Sequence, residues 1–258
     1  MHPVLFYIGS VPVHSYYVLW TAGLWIALFW TRSRAEKRYL VDPDDLHHVL
    51  IWSFIAMLLG ARIGGYFDNW SIYAQDPSRI WRIWEGGMSS MPAAISCGLA
   101  GIWLCRRKGI EVWRLAEAAS VPTMACIAVG RWGCFLNGCC HGVATTCPLA
   151  VKFPRLPLPV HPTQLYYSFG ALAIAMLLWS IEGRIGAGDR KTPVAVLWPL
   201  LMVLYGAERF FVDILRDGDR IMGFKVGQGL GFLVALAGIL WLSRSLSVVY
   251  VRSRTQKG

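Results

Sequence analysis

Three arginines, Arg62, Arg131 and Arg209, lie inside long apolar runs, and a cysteine cluster, Cys134-x4-Cys139-Cys140-His141-x5-Cys147, begins just after the second of them. A charge inside an apolar run is costly in lipid and marks a functional site by default. A guanidinium keeps its charge when desolvated, and its planar fork donates paired hydrogen bonds to phosphate. Arg209, Asp213 and Arg216 are spaced i, i+4, i+7 and therefore share one helix face. The bland reading has each arginine snorkelling to an interface or pairing with a local acid. Only Asp213 and Glu208 are obvious acids at that level. The sharper reading is a cationic pocket that grips an anion, and in lipid the natural anion is a phospholipid headgroup.

The elements that must hold these residues follow from composition. Of 258 residues, 55% are hydrophobic and 16% charged, with a mean hydropathy of +0.46. A soluble domain carries about 25% charged residues, so disordered, fibrous and ordinary soluble proteins are excluded. Thirteen tryptophans suit the headgroup interface. The net charge of +10 would suggest nucleic acid in a soluble protein; here it points to loops facing the cytoplasm, with no nucleic-acid partner.

Apolar runs occur at roughly Tyr16–Thr31, His48–Phe67, Met91–Cys105, Leu115–Phe135, Thr163–Ile181, Pro193–Leu215 and Val226–Leu242. Each approaches the ~20 residues a bilayer core requires. No Lys or Arg precedes Arg32, so the first run lacks the basic start of a signal peptide and reads as a retained span. The first, third and fifth connections and the C-terminal tail hold 15 Lys and Arg, and the remaining external segments hold 7. The excess marks the cytoplasmic side. The expectation is an all-α integral membrane protein of about seven transmembrane helices, N-terminus outside and C-terminus cytoplasmic. It forms a single transmembrane domain over 1–258, with extracytoplasmic loops at 69–90 and 136–162. A short interfacial helix is expected between Asp76 and Glu85, where Trp81 and Trp84 stand beside Arg79 and Arg82.

At ~1.5 Å rise per residue, Arg62 lies roughly 22 Å from His47. On the same rise Arg131 lies roughly 24 Å from Leu115, and Arg209 roughly 24 Å from Pro193. All three reach one level, just below the outer headgroups. Gly60-Ala-Arg62-Ile-Gly64 and Gly130-Arg131-Trp-Gly133 add small residues that let backbones approach.

Cys97, Cys105 and Cys126 lie in spans and read as packing residues. Cys134, Cys139, Cys140 and Cys147 sit at the outer, oxidising side, where a disulfide tying the Pro-rich loop is the default. An adjacent Cys139–Cys140 bridge would be strained. A metal site with His141 as a further ligand and a redox thiol pair stay open beside it, although the spacing matches no standard zinc pattern. His141 is also a candidate proton acceptor, imidazole being the commonest side chain in that role.

The stretch Gly130-Arg131-Trp132-Gly133-Cys134-Phe135-Leu136-Asn137-Gly138-Cys139-Cys140-His141-Gly142 resembles the prolipoprotein diacylglyceryl transferase signature, Gly-Arg-x-Gly-Asn-Phe-x-Asn-x-Glu-x-x-Gly. Ser15-Tyr16, Gly60–Gly64, Gly86-Gly87-Met88-Ser89, His161-Pro162-Thr163-Gln164-Leu165-Tyr166 and Arg209-Phe210 with Asp213 and Arg216 agree in the same order. The resemblance implies transfer of the diacylglyceryl group of phosphatidylglycerol to the lipobox cysteine of a preprolipoprotein, releasing glycerol phosphate. It implies a place in the bacterial plasma (inner) membrane; no cofactor and no metal are expected, and a seven-span chain of this size is expected to work as a monomer. It makes Arg131 a headgroup ligand and Arg209 a catalytic or headgroup arginine. It makes Tyr16, Asn137 and Gln164 pocket residues, with Arg62, Asp213 and Arg216 as supporting electrostatics. The chain departs from the signature at Cys134 (Asn in the family), Cys139 (Glu), Met91 (His) and Tyr167 (Glu). Two other classes stay open on the same scaffold: a membrane thiol, metal or redox enzyme, and a non-catalytic binder of anionic lipid.

Overall fold

Six of the seven apolar runs of the sequence fall whole on helices, and the run that begins at Pro193 does so from Leu197 onward. The computed structural model describes residues 2–82, 87–154, 156–185, 195–217, 220–221 and 224–255. Among them are α1 (Ser15–Lys37), α2 (Pro43–Asp68), α3 (Trp70–Gln75), α4 (Ser90–Arg107), α5 (Val112–Asn137), α6 (Thr163–Ile185), α7 (Leu197–Leu215) and α8 (Val226–Thr255). Four of these, α2, α5, α6 and α8, are long and apolar enough to cross a membrane. The protein is a multi-pass helical membrane protein. The side chains on its outside agree: Trp25, Phe29, Ile63, Phe67, Leu99, Phe211 and Phe232 are all exposed. A soluble surface does not display apolar side chains in such numbers. α7 carries Glu208, Arg209 and Asp213 within its 19 residues.

Local signals set the helix ends. Pro43 opens α2, and the Asp42 carboxylate accepts hydrogen bonds from the Asp44 and Asp45 amides at 3.0 and 3.2 Å. Two small hairpins stand outside the helical pattern. β1 (Val4–Ile8) pairs antiparallel with β2 (Val11–His14) through a turn at Gly9, whose φ is +61°, and β3 (Arg220–Ile221) pairs with β4 (Phe224–Lys225). Periodicity alone does not announce either, because each strand is too short to show alternation. The interfacial helix expected after Asp76 is a 3-10 helix, Pro77–Trp81, capped by the Asp76 carboxylate. Trp84, Glu85 and Gly86, and Pro193 at the expected start of the sixth span, lie outside the described residues.

The chain divides into two units. One comprises residues 1–34 and 116–258. Its core joins α5, α6 and α7 through Val121, Met124, Ala128, Ala171, Ile174, Leu178 and Leu201. α7 and α8 meet at backbone distance: a Cβ on Gly206 would come 2.6 Å from the Ala235 amide, and one on Gly231 would come 2.7 Å from the Gly206 carbonyl. A polar knot ties the far end of this unit. Arg34 pairs with Glu182 at 2.6 Å, with both side chains buried (6% and 4% exposed). Arg34 also donates to the Ala118 and Glu117 carbonyls. The Glu117 carboxylate accepts from the Leu197 and Trp198 amides at 3.1 and 2.8 Å, satisfying orphan donors at the start of α7.

The other unit, Ala35–Leu115, packs α2 against α4. A Cβ on Gly60 or Gly64 would overlap Ser96 or Pro92, so this small-residue stripe is used for helix contact.

Removing one partner of a buried ion pair strands the other. Arg34→Ala is therefore expected to lower unfolding stability by about 3–5 kcal/mol, read as an earlier thermal transition in detergent. The double variant Arg34→Met/Glu182→Met should recover most of that loss, since an apolar pair leaves no charge behind.

Candidate functional site

One carboxylate gathers the polar residues of the first unit. Asp213, on α7, is 2% exposed. Its Oδ1 accepts a hydrogen bond from the Tyr167 hydroxyl of α6 at 2.6 Å. Arg209 and Arg216, one turn before and after, pair with it at 3.8 Å each. On α8, a side chain at Gly227 would collide with Oδ2, so glycine is what lets that helix close over the carboxylate.

Tyr167, 1% exposed, supports an arginine as well. The Arg131 guanidinium of α5 lies 4.3 Å above its ring centroid, a cation–π contact. The Nε atoms of Arg131 and Arg209 are both buried and find no hydrogen-bond acceptor among the described residues. Arg209 reaches the Tyr205 hydroxyl through Nη1 at 3.5 Å. Arg131 thus keeps a buried donor without a hydrogen-bond acceptor, and the Arg209 Nε faces the Asp213 carboxylate at 3.8 Å, beyond hydrogen-bond reach. Such donors cost free energy unless a ligand satisfies them.

The cysteines stand at the end of α5. The Gly138 amide bonds the Phe135 carbonyl, and the Cys139 amide bonds the Cys134 carbonyl at 3.2 Å, closing the helix end. Gly138 and Cys140 both adopt left-handed conformations (φ +73° and +62°). The second is uncommon for a side chain larger than glycine. The chain thereby folds back on the last turn of α5, and the sulfurs of Cys134, Cys139 and Cys140 lie within 4.8 Å of one another. Two residues of α6 hold this turn from behind: Gln164 Nε2 donates to the Cys139 carbonyl at 2.6 Å, and Thr163 Oγ1 to the Cys140 carbonyl at 2.8 Å. The Cys140 thiol titrates well below the usual range. Hydrogen bonds from Cys134 and Cys139 hold it there, helped by the charges of Arg216 and Arg131. All seven cysteines are free thiols, and Cys147 lies outside the trio, 3.8 Å from His161 Nδ1. The disulfide expected from the sequence is thus not formed in this structure.

The remaining expected residues divide between the two units. Tyr16 begins α1, where its backbone lies against Gly133, and it is within the electrostatic reach of the three thiols. Asn137 ends α5 and hydrogen-bonds the Cys139 sulfur. Gln164 is fully buried, and its Oε1 has no hydrogen-bond partner among the described residues. The His141 Nδ1 faces the Gly142 carbonyl at 3.1 Å, and the ring packs 5.9 Å from Phe153. The loop after it is pinned by Gly142 bridging to Arg216 and by Val151 and Ala144 bridging to Val160. Arg62 belongs to the second unit, where it donates to the carbonyls of Ile80, Arg79, Arg82 and Gly87 and lies over Tyr73. A cavity of about 690 Å³ in that unit, lined by His48, Trp52, Trp103 and Arg107 among others, contains none of these site residues.

Two residues of the site escape sequence reasoning. Tyr167 stands out only as a mismatch to the family pattern, yet it joins Asp213 to Arg131. Lys225, buried in β4, donates to the Ile214 and Arg216 carbonyls and neutralises the C-terminal end of α7. A lysine ten residues past an apolar run gives no local hint of that return.

Comparison with known proteins agrees with the family resemblance seen in the sequence. The family model described as prolipoprotein diacylglyceryl transferase matches residues 3–244. The phosphatidylglycerol–prolipoprotein diacylglyceryl transferase of Trichormus variabilis is 31% identical over 98% of this chain and 91% of its own. That of Geobacter sulfurreducens is 31% identical over 92% of each chain. That of Francisella tularensis subsp. novicida is 28% identical over the whole chain and 96% of its own.

Tyr167→Phe deletes one hydrogen bond to a buried carboxylate and should cost about 1.5–3 kcal/mol. In an Asp213→Asn background the same change should cost measurably less, because the two residues share the interaction. Thermal unfolding of the four proteins of this cycle checks it.

Proposed function

Because the chain belongs to the prolipoprotein diacylglyceryl transferase family, we propose that it moves the diacylglyceryl group of phosphatidylglycerol onto the lipobox cysteine thiol of a preprolipoprotein. The observation that carries this reading is the pair of buried guanidiniums, Arg131 and Arg209, with unspent donors in the same unit as the Asp213 hub. In the reaction the acceptor sulfur forms a C–S bond to the glyceryl carbon. The C–O bond to phosphate breaks, its electron pair leaves with glycerol phosphate, and the thiol proton is lost. Negative charge grows on the phosphate as that bond opens. Donors already aimed at it, needing no reorganisation, lower the barrier.

We propose a role for each residue. Arg131 holds the phosphate, with its plane fixed by Tyr167, and Arg209 strengthens its hold as charge develops. Asp213 and Arg216 keep Arg209 in place. The free Oε1 of Gln164 accepts from a hydroxyl of the glycerol headgroup, and Tyr16 and Asn137 complete the pocket wall. His141 serves as proton acceptor. The protein works as a monomer in the bacterial inner membrane, crossing it seven times as one domain, with the N-terminus and the loops at 69–90 and 136–162 outside and the C-terminus in the cytoplasm.

The test uses purified protein in detergent with phosphatidylglycerol and a fluorescent lipobox peptide, the product being weighed by mass spectrometry. The expected product carries one added diacylglyceryl group. Arg131→Ala should lower the rate by about 10²–10³-fold, the cost of losing one donor to a developing anion. Phosphatidylglycerol bound without any mass shift in the peptide would overturn the transferase reading in favour of a lipid-binding protein.

A further inference from the structure

The proposed reaction needs the acceptor thiol to lose its proton, because the thiolate is the nucleophile. The ordinary groups for that task are scarce around the thiol cluster. His141 turns its Nδ1 to the Gly142 carbonyl, and His161 is engaged by Tyr166 and Cys147. What the unit places at the end of α5 instead is three sulfurs. From the geometry we infer that Cys134, Cys139 and Cys140 form a three-thiolate Zn²⁺ site whose fourth position takes the acceptor thiol. The inference rests on the transferase reading for its second half and stands without it for the first.

The geometry carries it. A Zn–S bond of about 2.3 Å puts sulfurs of one tetrahedral site roughly 3.8 Å apart, and these three lie within 4.8 Å of one another. The two backbone segments are held before any ion arrives. Cys134 is fixed by the rigid last turn of α5, and the Cys139-Cys140 turn by Gln164 and Thr163 on α6. Metal sites of high affinity have outer partners that orient their ligands, and Asn137 does this for the Cys139 sulfur. Three thiolates around a divalent ion carry a net charge of −1. The arginines whose charges reach this cluster, Arg131 and Arg216, compensate it at a depth where an uncompensated anion would be costly. Among the described residues no fourth His, Cys, Asp or Glu atom joins the group. A site with three protein ligands and one open position is the catalytic kind of zinc site.

An open position on a thiolate-bound zinc selects a soft donor, and a thiol that coordinates there is deprotonated outright. The acceptor cysteine would bind as thiolate, its proton passing to His141, whose Nδ1 alone is held by the Gly142 carbonyl. Its sulfur then attacks the glyceryl carbon while the C–O bond breaks toward the phosphate held by the guanidiniums. No oxidant or reductant enters, and the zinc keeps its oxidation state. Cys134 and Cys139 are also the two positions of the 130–142 stretch at which the chain departs from the signature it resembles, so the site would be peculiar to chains carrying this trio.

The experiment uses the full-length protein in detergent, purified under reductant without chelator. Elemental analysis should find one zinc per chain. Exchange with Co²⁺ should give a sulfur-to-cobalt charge-transfer band that is lost in Cys134→Ser, Cys139→Ser and Cys140→Ser and kept in Cys147→Ser. On the unmutated protein, Zn²⁺ should slow alkylation of those three cysteines by N-ethylmaleimide and leave Cys147 unchanged, a readout that needs no variant to fold. A lipobox peptide should then shift the cobalt band, and its Cys→Ser counterpart should not. Absence of metal and of Zn²⁺ protection, or a disulfide involving Cys134 in the unreduced protein, overturns the site. A bound metal whose band ignores the peptide thiol overturns its role in activation. Metal and peptide bound with no diacylglyceryl product would leave the site standing and sink the transferase reading alone.

Discussion

A carboxylate buried at membrane depth must be answered by cations and hydrogen bonds, or it would neutralise or never fold inward. Asp213 is answered by three groups: Tyr167 from α6, and Arg209 and Arg216 from its own helix. Much of the site's arrangement depends on that answer. Tyr167, fixed by its hydroxyl, presents the ring on which Arg131 lies. Gly227 lets α8 close over the carboxylate, and Arg216 bridges to the loop that follows the cysteines. A single buried charge thus specifies the mutual placement of four helices, with the gain in geometry rather than in net stability.

The opposite end of the same unit uses the same principle. Arg34, Glu182 and Glu117 form a buried network that joins α1, α6 and α5 and caps α7. Between these polar ends the helices touch through small side chains and glycine, as expected where lipid is as apolar as leucine and close packing replaces the hydrophobic effect. Fixed ends and a tightly packed middle give Arg131 and Arg209 rigid platforms, which preorganised charge stabilisation requires.

Much of this was legible in the sequence. Six of the seven apolar runs lie whole on helices and the other from Leu197 onward, because long runs of apolar residues leave few alternatives. The i, i+4, i+7 spacing of Arg209, Asp213 and Arg216 placed them on one face, and their ion pairs bear that out. The rest was hidden for identifiable reasons. Tyr167 gains its importance from a contact 46 residues away along the chain. The cysteine trio depends on a left-handed turn at Gly138 and Cys140, whereas spacing alone favoured a disulfide or left a metal site without a standard pattern. Arg62 reads as a membrane cation from its position, yet the carbonyls of the segment after α3 occupy it, and hydropathy does not register such local partners.

The central claim is that guanidinium geometry, held by Asp213, stabilises the departing phosphate. Arg209→Lys tests it most directly, since it keeps the charge and removes the planar fork. Single-turnover release of glycerol phosphate from phosphatidylglycerol would be followed beside equilibrium binding of the same lipid. Binding should stay near that of the unmutated protein, and the chemical step should slow by about 10²-fold. An unchanged rate would contradict it, showing that the fork of Arg209 takes no part in the transition state.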